Sequence, residues 1–299
     1  MRPQQRQLYA ERIDRVVRHL QTLDWSSNPA TDLNSLAAVG GLSPFHFHRV
    51  FRLMTGESVG EMVRRLRLAR TLGGFDVAKA SVTEAAMAAG YATPQAFARA
   101  MRGVAGCSPS ELLRSPDLAA VLRAKLARRA EGKDANSSPP LSIEITSIEP
   151  FTVQALRNVG RYEDLDQAYE RLFAVILAEL PPTSLRGIYG VPLDDPRSVA
   201  ANDCRFDCAV RVDGAVALPA PVRALILGGG AYVIARHVGS YDLIHAAIDE
   251  LVDALLDCDE VSLRDAPIHV LYHDEPEQRP AGELRADIHI PIAWERASG

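Results

Sequence analysis

The stretch Ser43-Pro44-Phe45-His46-Phe47-His48-Arg49-Val50-Phe51-Arg52 decides the fold of the N-terminal half. The short apolar segment before it ends at Gly40-Gly41, where glycine permits a turn. Ser43 then offers an N-cap hydroxyl, and proline suits the first position of a helix. Phe47, Val50, Phe51 and Met54 recur at helical spacing and are expected to face the core. The pattern predicts a helix-turn-helix whose second helix begins at Pro44.

The same pattern returns about fifty residues later. Thr93-Pro94 repeats the cap and the proline, Phe97-Ala98-Arg99 repeats the helix, and Gly90 repeats the turn at an offset of 49. Residues 8–126 contain no alternating strand pattern, so we expect an all-α domain with two helix-turn-helix units. The side chains expected to face outward are Phe45, His48, Arg49 and Arg52 in the first unit, and Gln95, Ala98, Arg99 and Arg102 in the second.

Outward arginine, glutamine and histidine near a helix N-terminus are residue types that reach base edges in the major groove. The alternative is that Arg49 and Arg99 are solvated or pair with nearby carboxylates. The same arginine at the same offset in two capped helices favours base contacts. Between the units, residues 61–72 form a predicted helix with four arginines, which could hold two reading helices about 34 Å apart.

The charge of the chain is unevenly distributed. Residues 1–130 contain 19 Lys+Arg against 10 Asp+Glu, and the remainder contains 14 against 28. The basic half is therefore the one expected to meet a polyanion. No apolar run is long enough to span a membrane and the N-terminus has no signal-peptide core, so we expect a reduced, cytoplasmic protein. His46 and His48, two residues apart on a helix, diverge, and we expect neither a metal nor a cofactor.

The C-terminal half is predicted to be an α+β domain made of two similar units. Val159-Gly160-Arg161-Tyr162 recurs as Val238-Gly239-Ser240-Tyr241, at an offset of 79. Each unit has a predicted strand, a Gly-x-Tyr turn and a long amphipathic helix, followed by further strands. Two such units side by side would form one sheet with helices on one face and a cleft at the seam. The polar, breaker-rich residues 130–140 before this half are a predicted linker.

Residues 8–114 resemble the AraC/XylS-type DNA-binding domain. The matching stretches are Leu42–Phe51, Thr55–Ser58, Ala89–Tyr91 and Phe97-Ala98-Arg99 through Gly106–Pro109. The resemblance implies seven helices with two readers in adjacent major grooves. It places base contacts at Phe45, His48, Arg49, Gln95, Ala98 and Arg99. Pro94 and Ala98 depart from the longer polar side chains common in the family, which leaves Gln95 and Arg99 as the main contacts of the second reader.

Residues 141–294 resemble the GyrI-like domain, an SHS2-type module of multidrug-sensing regulators. The resemblance rests on Asn158–Tyr162, His237–Tyr241 and Leu284–Ile292. It implies a ligand, often cationic and lipophilic, held between aromatic side chains near an acidic residue. The candidate lining residues are Tyr162, Tyr189, Tyr241, Tyr272 and Trp294, for each of which ordinary core packing is an equal alternative.

One departure concerns the charge of that ligand. Relatives often carry glutamate where this sequence has Val270, so a neutral ligand is expected unless Glu283, Asp207 or Asp287 supplies a carboxylate.

These observations predict a transcriptional regulator with residues 1–129 as the double helix-turn-helix domain, 130–140 as the linker and 141–299 as two tandem SHS2-like repeats. Its expected partners are double-stranded promoter DNA, a small organic and drug-like effector, and RNA polymerase, with no membrane. Two alternatives remain open: a GyrI-like hydrolase fused to a DNA-binding domain, and a module that docks gyrase or RNA polymerase.

Overall fold

The structure, a computed structural model, describes residues 4–25, 31–74, 81–105, 108–109, 143–214 and 216–294. The chain divides into two units. The first comprises Met1–Tyr9, Ser43–Val50 and Asp134–Gly299, and the second comprises Ala10–Leu42 and Phe51–Lys133. The predicted linker at 130–140, and the residues in which a seventh N-terminal helix would fall, lie outside the described residues.

The described N-terminal residues are helical, as predicted. The helices are α1 (Gln4–Thr22), α2 (Leu33–Gly40), α3 (Pro44–Thr55), α4 (Val59–Gly74), α5 (Val82–Ala88) and α6 (Pro94–Ala105). Both reading helices begin at the predicted prolines. Ser81 and Glu84 close the start of α5 with a reciprocal capping box, in which each side chain accepts from the other's backbone N–H.

The two helix-turn-helix turns have the same geometry. Gly41 has φ 63° and Gly90 has φ 73°, the left-handed region that favours glycine. In both turns the amide after the glycine donates to the carbonyl five residues before it, at 2.9 Å. This is the hydrogen bond of a Schellman cap, which satisfies the last carbonyls of a helix. The duplication seen in the sequence is therefore a duplication of backbone structure.

The second unit has its own apolar core. It is built from helical positions spaced three or four residues apart, each fully buried or nearly so: Ile13, Val16, Leu20, Leu36, Phe51, Met62, Leu68, Phe97 and Met101. Met54 and Ala100, which the helical spacing also placed in the core, are only half-buried.

The C-terminal half is an antiparallel sheet with two helices, as predicted. Its strands are β1 (Ile143–Ile148), β2 (Phe151–Val159), β3 (Leu185–Pro192), β4 (Arg205–Val212), β5 (Arg223–Leu227), β6 (Gly230–Val238), β7 (Val261–Leu263), β8 (His269–Tyr272) and β9 (Arg285–Trp294). The helices are α7 (Leu165–Glu179) and α8 (Ile244–Leu256). Sequence patterns missed β5 and β7, which are short.

The strand order is β1-β6-β9-β8-β3-β4-β2-β5, with β7 pairing β9. The seam between the two C-terminal repeats is the pairing of β3 with β8, where Ile188 faces Tyr272 and Gly190 faces Val270. On one face of the sheet, Leu156, Phe206 and other strand residues pack against α7. On the other face, Val153, Tyr189 and their neighbours form a separate cluster that contains no residue of the described helices. We call these the helix face and the helix-free face.

The sheet curls so that its two ends meet. Only residues 149–150 join β1 to β2, and only 228–229 join β5 to β6, yet five strands lie between the members of each pair. Two residues cannot cross the width of five strands, which are about 4.8 Å apart. The ends therefore approach, and the Gly229 amide donates to the Ile148 carbonyl at 2.8 Å. A side chain at Gly228 would place its Cβ 2.4 Å from the Glu149 carbonyl oxygen, so this junction requires glycine.

We predict that Gly90→Ala destabilises the protein by about 3 kcal/mol or more, because strain and a clash combine there. The new Cβ would lie 2.6 Å from the Trp25 carbonyl oxygen, a backbone atom that cannot rotate away. Gly41→Ala is the matched control, since its φ is also left-handed but nothing lies within 4 Å of its Cβ. It should cost only about 1 kcal/mol. Urea unfolding measures both, and equal losses would contradict the proposed close approach at Gly90.

Candidate DNA-reading and ligand-binding sites

The second reading helix, α6, presents the polar face that the sequence predicted. Gln95, Arg99 and Arg102 are exposed and Ala98 is half-buried. The opposite side of the helix is held by Phe97, whose ring centroid lies 5.5 Å from that of Tyr91. Thr93 caps the helix by accepting from the amide of Ala96 at 3.1 Å. The geometry leaves a capped helix whose free side chains can enter a groove.

The first reading helix, α3, differs from the prediction in the placement of two side chains. Phe45 and Arg52 are half-buried, but His48 and Arg49 are 3% and 2% exposed. The expectation that these two face outward is wrong for this structure. Residues 43–50 belong to the first unit and pack there, so the face that helical spacing left polar is covered.

Arg49 is buried because a carboxylate and a carbonyl satisfy it. Its guanidinium donates to the His245 carbonyl at 3.2 Å and forms an ion pair with Asp249. Arg197 bridges Asp249 at 2.8 Å and Asp195 at 2.9 Å, which makes a small network. Burial alone would raise the pKa of Asp195, but Arg49 and Arg197 hold that pKa well below its usual range. Asp195 is therefore a carboxylate at neutral pH.

The histidines beside this network are neutral. Burial, together with the nearby charge of Arg49, lowers the pKa of His46 to about 4 and that of His48 to about 3. Burial also lowers the pKa of His245 to about 4. A neutral imidazole carries one N–H and one acceptor nitrogen, so His48 can contribute hydrogen bonds to a base but no charge to a phosphate.

The helix face brings together three of the five predicted ligand residues. At the seam, Tyr272 lies with its ring centroid 4.8 Å from that of Tyr241 and 6.3 Å from that of Tyr169. The ring centroid of Tyr162 lies 4.9 Å from that of His245. Tyr169 was not predicted from the sequence as a member of this group. Its helical spacing also fits the core-facing side of α7, where the residue packs.

Two of those tyrosines are anchored in the same way in each repeat. The hydroxyl of Tyr162 donates to the Asp194 carbonyl at 2.8 Å, and that of Tyr241 donates to the Asp274 carbonyl at 2.9 Å. Each aspartate side chain in turn pairs with an arginine eleven residues later. The acidic, proline-containing turns at residues 194–196 and 274–276 therefore have a structural role, because each fixes a tyrosine hydroxyl and an arginine. The repeat offset was the sequence signal that could have revealed them.

The remaining two predicted ligand residues do not join this group. Tyr189 points to the helix-free face, where it packs in the cluster with Val153. Only its backbone carbonyl reaches the helix face, where it accepts from the Tyr169 hydroxyl at 2.7 Å. The alternation of strand side chains explains this, because Gly190 and not Tyr189 shares a face with Tyr272. The side chain of Trp294 lies outside the described residues.

The carboxylates considered as substitutes at Val270 do not supply a charge to the seam. Val270 is 1% exposed and shares the helix face with Tyr272. Asp207 pairs with Arg157 and Arg223, and Asp287 with Arg236, all on the helix-free face. Glu283 is exposed in the turn before β9. The seam is therefore aromatic and apolar around Val270.

Cysteine thiols, metal-ligating side chains and helix length also bear on what the described residues can do. Burial raises the pKa of Cys204 to about 11 and that of Cys208 to about 12, so both thiols are protonated. Histidine, cysteine and carboxylate side chains of the described ranges nowhere gather in threes as a metal site would require. No helix in those ranges is both long and apolar enough to cross a membrane.

Comparisons with known proteins agree with this arrangement. Residues 141–293 match the GyrI-like small molecule binding domain, and residues 36–115 match a helix-turn-helix domain. The probable transcriptional regulator YgiV of Escherichia coli K12 is 32% identical over 119 residues, which are 38% of this chain and 72% of YgiV. The HTH-type transcriptional activator AarP of Providencia stuartii is 30% identical over 78 residues, 26% of this chain and 58% of AarP.

Among solved structures, the C-terminal domain of EcmrR is similar with a TM-score of 0.45 at 14% identity, over 51% of this chain and 98% of that domain. The family match covers more than half of the chain. The chain therefore belongs to the GyrI-like family and is a transcriptional regulator that joins an AraC-type helix-turn-helix DNA-binding domain to a GyrI-like small-molecule binding domain.

Proposed function

We propose that α6 and α3 read promoter DNA, and that the helix-face seam binds a neutral, lipophilic effector. The observation that carries the proposal is the contrast between the two sites. Gln95, Arg99 and Arg102 stand exposed on a capped helix, whereas Tyr169, Tyr272 and Val270 form an aromatic and apolar seam. The first set suits a polyanion with base edges, and the second suits an apolar molecule.

Base reading by Arg49 requires an exchange of partners. In the structure its guanidinium is paired with Asp249 and the His245 carbonyl. A guanine would offer two acceptors to the same guanidinium, so DNA and Asp249 compete for one group. We therefore propose that the first reader contacts bases only when the Arg49–Asp249 pair opens, while the second reader needs no such change.

The C-terminal domain is proposed to sense its ligand without turning it over. Cys204 and Cys208 are buried and their pKa values are raised to about 11 and about 12, which disfavours a thiolate nucleophile. RNA polymerase is the proposed protein partner. The support is that the relatives YgiV and AarP are named as transcriptional regulators, and AarP as an activator.

Arg99→Ala is expected to weaken sequence-specific DNA binding by about 1–3 kcal/mol, since a bidentate arginine–base contact has that magnitude. Because Arg99 is exposed, its loss should not change the free energy of unfolding. A mobility shift with specific and unrelated DNA, and a denaturation curve, measure the two effects. Arg18→Ala is the matched control, because Arg18 is exposed on α1 and hydrogen-bonds only within its own helix.

Arg49→Ala should weaken DNA binding as Arg99→Ala does, but it should also lower the free energy of unfolding. The change removes the Arg49 partner of the largely buried Asp249 carboxylate, which also pairs with Arg197. If neither arginine change weakens specific binding more than Arg18→Ala does, the two-reader proposal is wrong.

Val270→Glu is expected to create a preference for lipophilic cations that the native protein lacks. A carboxylate at this position would face the Tyr272 ring in a low-dielectric site, where it favours a positive charge. Val270→Gln is the matched control, with the same shape and no charge. Isothermal titration with tetraphenylphosphonium should show binding at least about tenfold tighter to the Glu variant than to the Gln variant.

Melting temperatures of both Val270 variants check that the buried substitution is tolerated. Equal affinity of the two variants for the cation, in folded protein, would contradict the placement of the effector at the seam.

A further inference from the structure

The helix-free face contains a cavity that the proposed effector site does not use. The curl of the sheet makes this face concave, and the β1–β2 connection closes one side of it. The cavity has a volume of about 280 Å³ and is lined by Glu149, Phe151, Tyr189, Arg211, His269 and His289. Small-molecule pockets usually measure about 300–1,000 Å³, so this one suits a compact ligand of one or two rings.

The floor of the cavity is a stack of imidazoles. His269 and His289 face each other across the β8–β9 pairing, with ring centroids 4.5 Å apart and planes 11° from parallel. Tyr232 meets His269 edge-on at 5.1 Å, and Phe151 does so at 6.3 Å. Flat faces and edges of aromatic groups therefore surround the space, as a planar ring prefers.

His269 is the unexplained group in this floor. It is fully buried, and neither ring nitrogen makes a hydrogen bond of good geometry to the described residues, although the Pro267 carbonyl is close enough to favour the charged ring. Burial and the neighbouring His289 hold its pKa well below 6.5, so it is a neutral ring with one N–H and one acceptor nitrogen. A buried polar group without a partner is costly, and native proteins seldom keep one without a reason. A bound molecule would supply the missing partner.

Charge at the cavity favours an anion. The exposed guanidinium of Arg211 lies 4.9 Å above the Phe151 ring at the mouth. Behind Tyr232, the guanidinium of Arg264 lies 5.0 Å from that ring, with its Nε and one terminal nitrogen buried and without hydrogen-bond partners. The carboxylate in the lining, Glu149, is open to water and therefore screened, and Asp287 on the same face is already paired with Arg236 and His273.

We propose that the helix-free face holds a second binding site, for a planar aromatic carboxylate. Phe151, Tyr189 and the stacked imidazoles enclose the ring, and Arg211 pairs with the carboxylate. The site goes beyond the effector site of the helix face, from which the sheet itself separates it. It gives the domain two ligands of opposite chemistry, one neutral and lipophilic and one anionic and flat.

Isothermal titration of the full-length protein at neutral pH with 2-naphthoate tests the proposal, with 2-naphthamide as the uncharged probe of the same shape. We expect saturable binding of the carboxylate and weaker binding of the amide. Arg211→Gln should weaken naphthoate by about tenfold or more, since a charge-assisted pair is lost, and leave the amide unchanged. Arg186→Gln is the matched control, because Arg186 is exposed on β3 and pairs with Asp213. It should leave both affinities unchanged.

Each contrary outcome is informative. No saturable binding at millimolar 2-naphthoate, or equal binding by the native protein and Arg211→Gln, overturns the second site. Val270→Glu separates the two faces, because a carboxylate on the helix face would repel naphthoate only if naphthoate bound there. If Val270→Glu weakens the binding of naphthoate and Arg211→Gln does not, naphthoate binds at the helix-face seam. That result overturns this inference and leaves an effector site on the helix face intact.

Discussion

The pairing of β3 with β8 is the contact on which the C-terminal half depends. It joins the β2-α7-β3-β4 and β6-α8-β8-β9 parts of the two repeats through three facing residue pairs, among them Gly190 and Val270. At the two ends of the sheet, β1 pairs with β6 and β5 pairs with β2. A side chain at Gly190 would place its Cβ 2.5 Å from the Phe206 ring and 2.7 Å from the Tyr272 hydroxyl. The glycine therefore lets two aromatic rings close over the seam, so the proposed effector site lies at the junction of the two repeats.

The same constraint gives the sheet two unlike faces. Because side chains alternate along a strand, neighbours in sequence go to opposite sides at the seam: Tyr189 and His269 to one face, Gly190 and Val270 to the other. The curl, imposed by two connections of two residues each, makes the helix-free side concave. Charged pairs such as Asp207 with Arg157 and Asp287 with Arg236 lie on that side as well. The acids that a ligand at the seam could have used are thus engaged elsewhere.

Local signals in the sequence were enough to predict most of the fold. The start of each reading helix could be located without tertiary information, because the signals for it act within one turn of chain. These signals are the caps at Ser43 and Thr93 and the glycines at Gly41 and Gly90. The offset of 79 to 80 residues likewise predicted that the C-terminal units would match. The short strands β5 and β7 were missed because their positions depend on partners far away in sequence.

The site could be predicted less completely, for a physical reason that Arg49 illustrates. Helical spacing says which residues share a face, but not what covers that face. Arg49 and Arg99 have the same offset in the two repeats, yet one is 2% exposed and paired with Asp249 while the other is exposed. A buried arginine is tolerated only where carboxylates and carbonyls replace its water, and those groups come from residues about 200 positions away. The duplication thus made two equivalent helices, and tertiary contacts made them different, because the arginine of one is held in a buried ion pair while the arginine of the other is exposed to solvent.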